Sequence, residues 1–285
     1  NGSDTVSLGI ALTTTGTNKG IQTTGGTNKV TVSEAGSITT AGSNADGIHN
    51  DGSYNTTTVS GSITTAGYSA YGIYNLGSTN TNTVSGSITT TGEDSYGIHN
   101  KGDTNTTTVS GSIATGNVSS NAGRNSYGIF NEGNDNTTTL SGDITTINSS
   151  GYGIYNKGNK NTTIMSGTFT ASGTRDSSNY GIWNDGNENI TTMSGIISTV
   201  GSLSYGILNK GDSNTTTVSG SITTTGEGGH AIFNNGDNNT TTISGTVKVT
   251  GTKSAALYND YGSGNSFTLN EGATIIGDIL AKDYT

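Results

Sequence analysis

The chain has 285 residues, no Cys or Pro, 46 Gly and 28% hydrophobic residues, which leaves too little apolar material for a wide globular core. Its 20 acidic and 11 basic residues give a net charge of −9, so nucleic acid and an anionic membrane surface are disfavoured as partners. No stretch approaches the roughly 18 apolar residues of a membrane helix, and residues 1–20 carry no basic-then-apolar leader, so an export signal is expected outside this chain.

Low apolar content is offset by regularity. The Ile of a Gly-Ile step falls at 21, 48, 73, 98, 129, 154, 182, 207 and 232, with Leu257 in the tenth place, at intervals of 27, 25, 25, 31, 25, 28, 25, 25 and 25. A period in this range marks a supersecondary unit that buries its apolar side only by stacking on its neighbours.

Taken in chain order, one repeat holds three short segments with period-two alternation, separated by Gly and Asn turn signals. The first, the Ile strand, reads Gly-Ile-X-Asn, as in Gly97–Asn100, and ends at Lys101-Gly102. The second, the Thr strand, reads Asn-Thr-Thr-Thr-Val, as in Asn105–Val109, and ends at Ser110-Gly111. The third, the Ser strand, starts at Ser112-Ile113 and runs into a variable Gly-rich loop. Three strands and three corners predict an all-β, three-faced β-solenoid, a parallel β-helix expected to be right-handed, with about ten 25-residue coils and one domain over 1–285. At about 4.8 Å per rung the rod is on the order of 48 Å long.

Alternation assigns the faces. Inward columns are expected from Val59, Val109 and Leu140 with Thr57, Thr107 and Thr138 on the Thr strands, and from Ile63, Ile113 and Ile144 on the Ser strands. Two Asn columns, Asn50 to Asn259 and Asn28 to Asn265, read as corner features whose amides stack from rung to rung. Insertions gather in the loop after the Ser strand, the longest from Thr115 to Ser126 and a shorter one from Thr174 to Asn179. Val6 and Ile10 sit four apart, like Val59 and Ile63, so the chain is expected to open in mid-coil and either to continue or to stack head to tail on itself.

Two outward surfaces carry functional expectations. Thr56, Thr58, Thr106, Thr108, Thr137, Thr139, Thr215, Thr217, Thr240 and Thr242 form a Thr-X-Thr array, interrupted by Lys29, Ile164 and Ile190. Such a lattice resembles the face that β-solenoid ice-binding proteins present to ice, and Thr is equally an ordinary exposed-strand residue. Glycan attachment is a third reading, because Asn105-Thr106-Thr107 and its equivalents fit Asn-X-Thr. On the Ile strand an aromatic stripe runs outward through Tyr74, Phe130, Tyr155, Trp183, Phe233 and Tyr258, with His49, His99 and Leu208 between them. It reads as a contact for a host or neighbour-cell glycan or protein, or as stacking that stabilises the sheet. The Tyr column two residues ahead of the Gly-Ile isoleucines, Tyr71 to Tyr205, shares the inward phase and is expected at a corner. Lys101, Glu132, Lys157, Asp185 and Lys210 alternate in sign, as paired rungs do.

Catalysis finds little support. Asp and Glu sit singly in turns, the three His are spread along the rod, and neither a Ser-His-Asp set nor a metal-ligand spacing emerges, so no enzyme, metal or cofactor is expected. Polysaccharide binding or cleavage, known for other β-helices, is the weaker alternative.

The succession Gly-Ser-Ile-Thr-Thr, variable loop, Tyr-Gly-Ile-X-Asn, with the closing Asn270-Glu271-Gly272-Ala273-Thr274-Ile275-Ile276-Gly277-Asp278-Ile279, resembles the passenger regions of bacterial autotransporters over essentially the whole chain. The resemblance implies a right-handed β-helix displayed on, or released from, a Gram-negative cell. With it comes the expectation of an extracellular structural solenoid that serves cell-surface adhesion or assembles axially into a fibre, without direct membrane insertion.

Overall fold

The computed structural model describes residues 3–116, 125–147, 150–172 and 178–282, and these form a β-solenoid without a helix. Short strands follow one another in a fixed cycle of Thr strand, Ser strand and Ile strand, and each strand pairs with its counterpart one coil on. The result is three parallel sheets of eleven strands each. The Thr sheet runs from Thr5–Leu8 to Ser266–Leu269, the Ser sheet from Ala11–Thr14 to Thr274–Ile276, and the Ile sheet from Ile21–Thr24 to Asp278–Ala281.

Register follows the side-chain alternation. Val59 pairs with Val84 and then Val109, Ile63 with Ile88 and then Ile113, so like side chains stack on like. The 31-residue interval from Ile98 to Ile129 does not disturb it, because the extra residues fall in the loop while Ile98 still pairs with Ile129. A slip of one residue would turn each buried column outward, which is why the pattern holds the register firmly. Inside, one continuous apolar cluster runs the length of the rod, built from the Val, Ile, Leu and Met columns and Phe169. The long loop insertions expected at Thr115–Ser126 and Thr174–Asn179 lie mostly outside the described residues, at 117–124 and 173–177.

The polar interior is bonded along the axis. Asn50 to Asn234 are fully buried and Asn259 is half-buried, and each amide donates to the next: Asn50 Nδ2 to Asn75 Oδ1 at 2.7 Å, Asn75 to Asn100 at 2.8 Å, Asn100 to Asn131 at 2.8 Å, and on to Asn234 and Asn259 at 3.0 Å. The second amide proton crosses the interior to the inward Thr of the next strand, as from Asn131 to Thr138 Oγ1 at 3.0 Å. Asn82 takes the Thr place in one coil and donates to Asn100 Oδ1 at 3.1 Å and Thr107 Oγ1 at 3.3 Å. The other Asn column uses its carbonyl instead: Asn105 N–H donates to Asn136 Oδ1, and Asn136 N–H to Asn161 Oδ1, at 2.8 and 2.9 Å. A shorter exposed ladder of the same kind links Asp103, Asn134, Asn159, Asn187, Asp212 and Asp237. Most buried amide groups, which would each cost about 1–3 kcal/mol unpaired, are thereby satisfied by the same residue one rung away; Nδ2 of Asn136, Asn189 and Asn214 and Oδ1 of Asn82 are the exceptions.

Two expectations need correction. Val6 pairs with Val30 and Leu8 with Val32, while Leu12, not Ile10, pairs with Ile38. Ile10 is 72% exposed and its carbonyl accepts from Ser37 N, the part that Gly36 plays for Ser62 in the next coil. It is a corner residue, so the spacing from Val6 to Ile10 was a coincidence of two different columns. The Tyr column, expected to share the inward phase, stands outside the core against the outward aromatics.

Candidate functional site

The Ile sheet carries the most distinctive surface. From its alternation, Tyr96 and Ile98 should share a face, yet Tyr96 lies with the outward aromatics and Ile98 in the core. The reason is the intervening Gly. Gly72 N–H and Ile73 N–H both donate to the following coil, to Tyr96 O and Gly97 O, whereas regular alternation sends successive amides to opposite neighbours. The ladder accordingly pairs Tyr127 with Tyr152 and Ile129 with Ile154 but skips the glycines between them. Both Gly97 and Ile98 therefore face the core, and a Cβ on Gly97 would collide with Ile113 Cγ2 and stand 2.6 Å from Gly128 O. A small residue allows the double inward step, Gly in most coils and Ala231 and Ala256 in two, and that step turns the preceding side chain out.

Two aromatic columns consequently stand side by side on the outside. Tyr71, Tyr96, Tyr127, Tyr152, Tyr180 and Tyr205 stack with centroids 4.6–5.0 Å apart and planes within 12°. His99, Phe130, Tyr155 and Trp183 stack beside them at 4.7, 4.9 and 4.5 Å. Edge-to-face contacts lock one column to the other, such as Tyr96 to Phe130 at 5.4 Å and Tyr152 to Trp183 at 5.2 Å. Phe233 and Tyr258 continue the stack at 5.0 Å beyond Leu208. Such pairs contribute about 0.5–1.5 kcal/mol beyond burial.

The stripe points away from the core, as its alternation requires, but it is largely covered. Phe130, Tyr155, Phe233 and Tyr258 are buried, while Tyr74 and Trp183 are half-buried. Ring faces meet ring faces of adjacent coils, so solvent reaches mainly edges and hydroxyls. Burial pushes the hydroxyl pKa of Tyr74 and Tyr152 up to about 12 and raises those of Tyr96, Tyr127, Tyr155 and Tyr180 as well. Tyr155 donates its hydroxyl to Asp185 Oδ2 at 3.1 Å.

Charged groups edge the wall. In the rung before Tyr71, Asp46 is buried, with Oδ2 2.9 Å from Lys19 Nζ and 2.8 Å from His49 Nδ1, and Oδ1 accepting from Tyr71 N at 3.0 Å. Farther along, Glu132 bonds Lys157 at 3.1 Å, Asp185 lies 3.5 Å from Lys210, and Glu132 Oε2 lies 3.4 Å from His99 Nε2, a contact that falls short of hydrogen-bond geometry. The His99 ring and then Lys157 hold the Glu132 carboxyl down to about 2, against the cost of its partial burial. Burial lowers the pKa of His99, and it lowers that of His230 to about 4, where Nδ1 accepts from Ala255 N at 2.9 Å. The sequence reading saw isolated acids and missed both the Asp46–His49 pair and the Glu132–His99 contact. The three-residue spacing in Asp46-Gly47-Ile48-His49 was the available signal for the first; the second joins neighbouring coils and shows only when the repeats are aligned.

The Thr face matches its expectation in placement. Thr56, Thr106, Thr215, Thr217 and Thr240 are exposed and Thr58, Thr108, Thr137, Thr139 and Thr242 half-buried, all on the outer side of the Thr sheet. Thr106 pairs with Thr137 and Thr108 with Thr139, so the columns are in register. Neighbouring hydroxyls then lie about 7 Å apart along a strand and about 4.8 Å between rungs. The Asn of the Asn-X-Thr matches, including Asn55, Asn105, Asn136, Asn161, Asn214 and Asn239, are buried in the corner ladder, which leaves no room for a sugar. At the Ser-Gly corner, Ser60, Ser62, Ser85, Ser87, Ser110 and Ser112 line a shallow open groove. No group of three His, Cys, Asp or Glu able to hold a metal occurs among the described residues.

Fold and surface together define a β-solenoid repeat protein with an aromatic wall and a hydroxyl-rich face. No family model, curated protein or solved structure matches the chain.

Proposed function

We propose that this chain is an extracellular structural rod that serves cell-surface adhesion or assembles axially into a fibre, with itself or a neighbouring cell's glycan or protein as partner. The observation that carries the reading is the continuity of the axial ladders. Asn amides, backbone-to-Asn bonds and stacked rings connect coil to coil, which favours a stiff spacer that repeats the same outward chemistry along its length. The histidines are committed to this scaffold: His49 to Asp46, His230 to the Ala255 amide, and His99 to the ring stack. The covered ring faces direct a partner to the tyrosine edges and the adjoining Lys-Glu-Lys-Asp-Lys row rather than to an open sugar-stacking platform.

The test is display of the chain on otherwise non-adherent cells, scoring aggregation and retention on cell layers and glycan-coated surfaces. Retention above that of cells displaying an unrelated rod supports the reading. Absence of both retention and filaments of the purified protein contradicts it.

The in-register Thr lattice favours ice binding as the second reading. Thermal hysteresis or shaped ice crystals, abolished by Thr108→Lys with Thr139→Lys, would establish it; unshaped ice growth would dismiss it.

A further inference from the structure

The charge of −9 is unevenly placed. Acidic residues gather along two edges of the rod: Asp103, Asp212 and Asp237 at turns between Ile and Thr strands, and Glu93, Asp94 and Glu227 beside the variable loops. The outer side of the Thr sheet differs. From Thr5–Leu8 to Ser266–Leu269, Lys29 is the single charged residue among the outward positions of the described strands. Copies of one acidic chain repel most where their charged edges meet, and least across this neutral face.

The same face carries an apolar centre. Ile164 and Ile190 replace Thr at outward positions on adjacent rungs, 44% and 48% exposed. Ile190 pairs with Thr162 and Ile164 with Thr192, so the two isoleucines lie diagonally next to each other. Four-residue strands on eleven rungs give a face of about 13 Å by 48 Å, or about 600 Å² per copy before the flanking turns are counted. A standard protein interface buries roughly 800 Å² per partner.

We infer that two copies of this chain pair face to face through the Thr sheet, about a two-fold axis that brings Ile164 and Ile190 of both copies together. The contact is self-complementary, as a two-fold requires, and uses the sheet-on-sheet packing of a β-sandwich at about 10 Å. It goes beyond the adhesive-rod reading and needs neither axial stacking nor a foreign partner. It also covers the Thr array and so competes with ice binding.

Sedimentation equilibrium of the full chain from 1 to about 100 µM, in low and moderate NaCl, tests it. Because the meeting faces carry no charge beyond one Lys29 each while the whole copies repel, salt should tighten dimerisation at least threefold. Ile164→Lys with Ile190→Lys should leave monomer across the range, as should Thr108→Lys with Thr139→Lys on the same face. Thr64→Lys, outward on the Ser sheet, should dimerise like the parent. Circular-dichroism melts establish that each variant is folded, and the second pair keeps the test open if the first does not fold. A parent that stays monomeric at every salt concentration, or folded face variants that still dimerise, overturns the inference.

Discussion

At the residue scale, the interior is as much polar as apolar, and its polar half is the less forgiving. Asn131 Nδ2 donates to Thr138 Oγ1 at 3.0 Å and Asn156 Oδ1 at 2.8 Å, while Asn131 Oδ1 accepts from Asn100 at 2.8 Å. Asn131→Asp removes both donors and sets a carboxylate against a carbonyl oxygen without solvent. We expect a loss of about 3 kcal/mol in denaturant unfolding. His99 is the opposite case, a polar ring in an aromatic slot, with both ring nitrogens lacking hydrogen-bond partners and Tyr74 and Phe130 stacked on it at 5.0 and 4.7 Å. Its lowered pKa means that the unfolded chain binds the proton more readily, so its contribution to stability is complete above about pH 6.5 and declines as the pH falls below that value. His99→Phe should raise stability by about 1 kcal/mol, with a larger gain at pH 5 than at pH 8.

At the element scale, the glycine step explains what the sequence could and could not reveal. The strands, their inward columns and the Thr face were legible because period-two alternation and in-register stacking both depend on residue type alone. The Tyr column was not, because Gly97 and Ile98 face the same way and shift the phase of everything before them. Burial of the aromatic stripe was equally hidden, since its cover is that misplaced Tyr column together with the rungs above and below. The step predicts a coupled pair. Gly97→Ala drives a methyl into Ile113 and should cost about 2 kcal/mol, whereas Ile113→Ala, which removes the Cγ2 that the methyl meets, should cost about 1 kcal/mol less in that background than in the parent. A double-mutant cycle with additive losses would refute the clash. The wall itself makes an alkaline prediction. Tyrosines whose pKa is raised in the fold stabilise it fully below about pH 10 and cease to do so as the pH rises through about 12. Tyrosinate absorbance at 295 nm should therefore rise mainly above pH 11, together with loss of the β-sheet dichroism; a dominant step near pH 10 with the fold intact would contradict the stacked geometry.

At the scale of the whole molecule, the eleven rungs act as one cooperative body, because each coil buries its apolar side against the next and the ladders pass through every interior rung. Here sequence reasoning reached the architecture and stopped: periodicity dictates stacking, and it is the departures from period, such as Lys29, Ile164, Ile190 and the aromatic stripe, that bear on partners. Their meaning depends on exposure, which only the assembled coils decide. The central claim is that the molecule works as a rod through its surface contacts. Negative-stain electron microscopy of the purified chain over increasing concentration tests it most directly. The account predicts straight, uniform rods that associate into longer or paired filaments as concentration rises. Isolated particles at every concentration, in a preparation that also fails to hold cells to a surface, would contradict it.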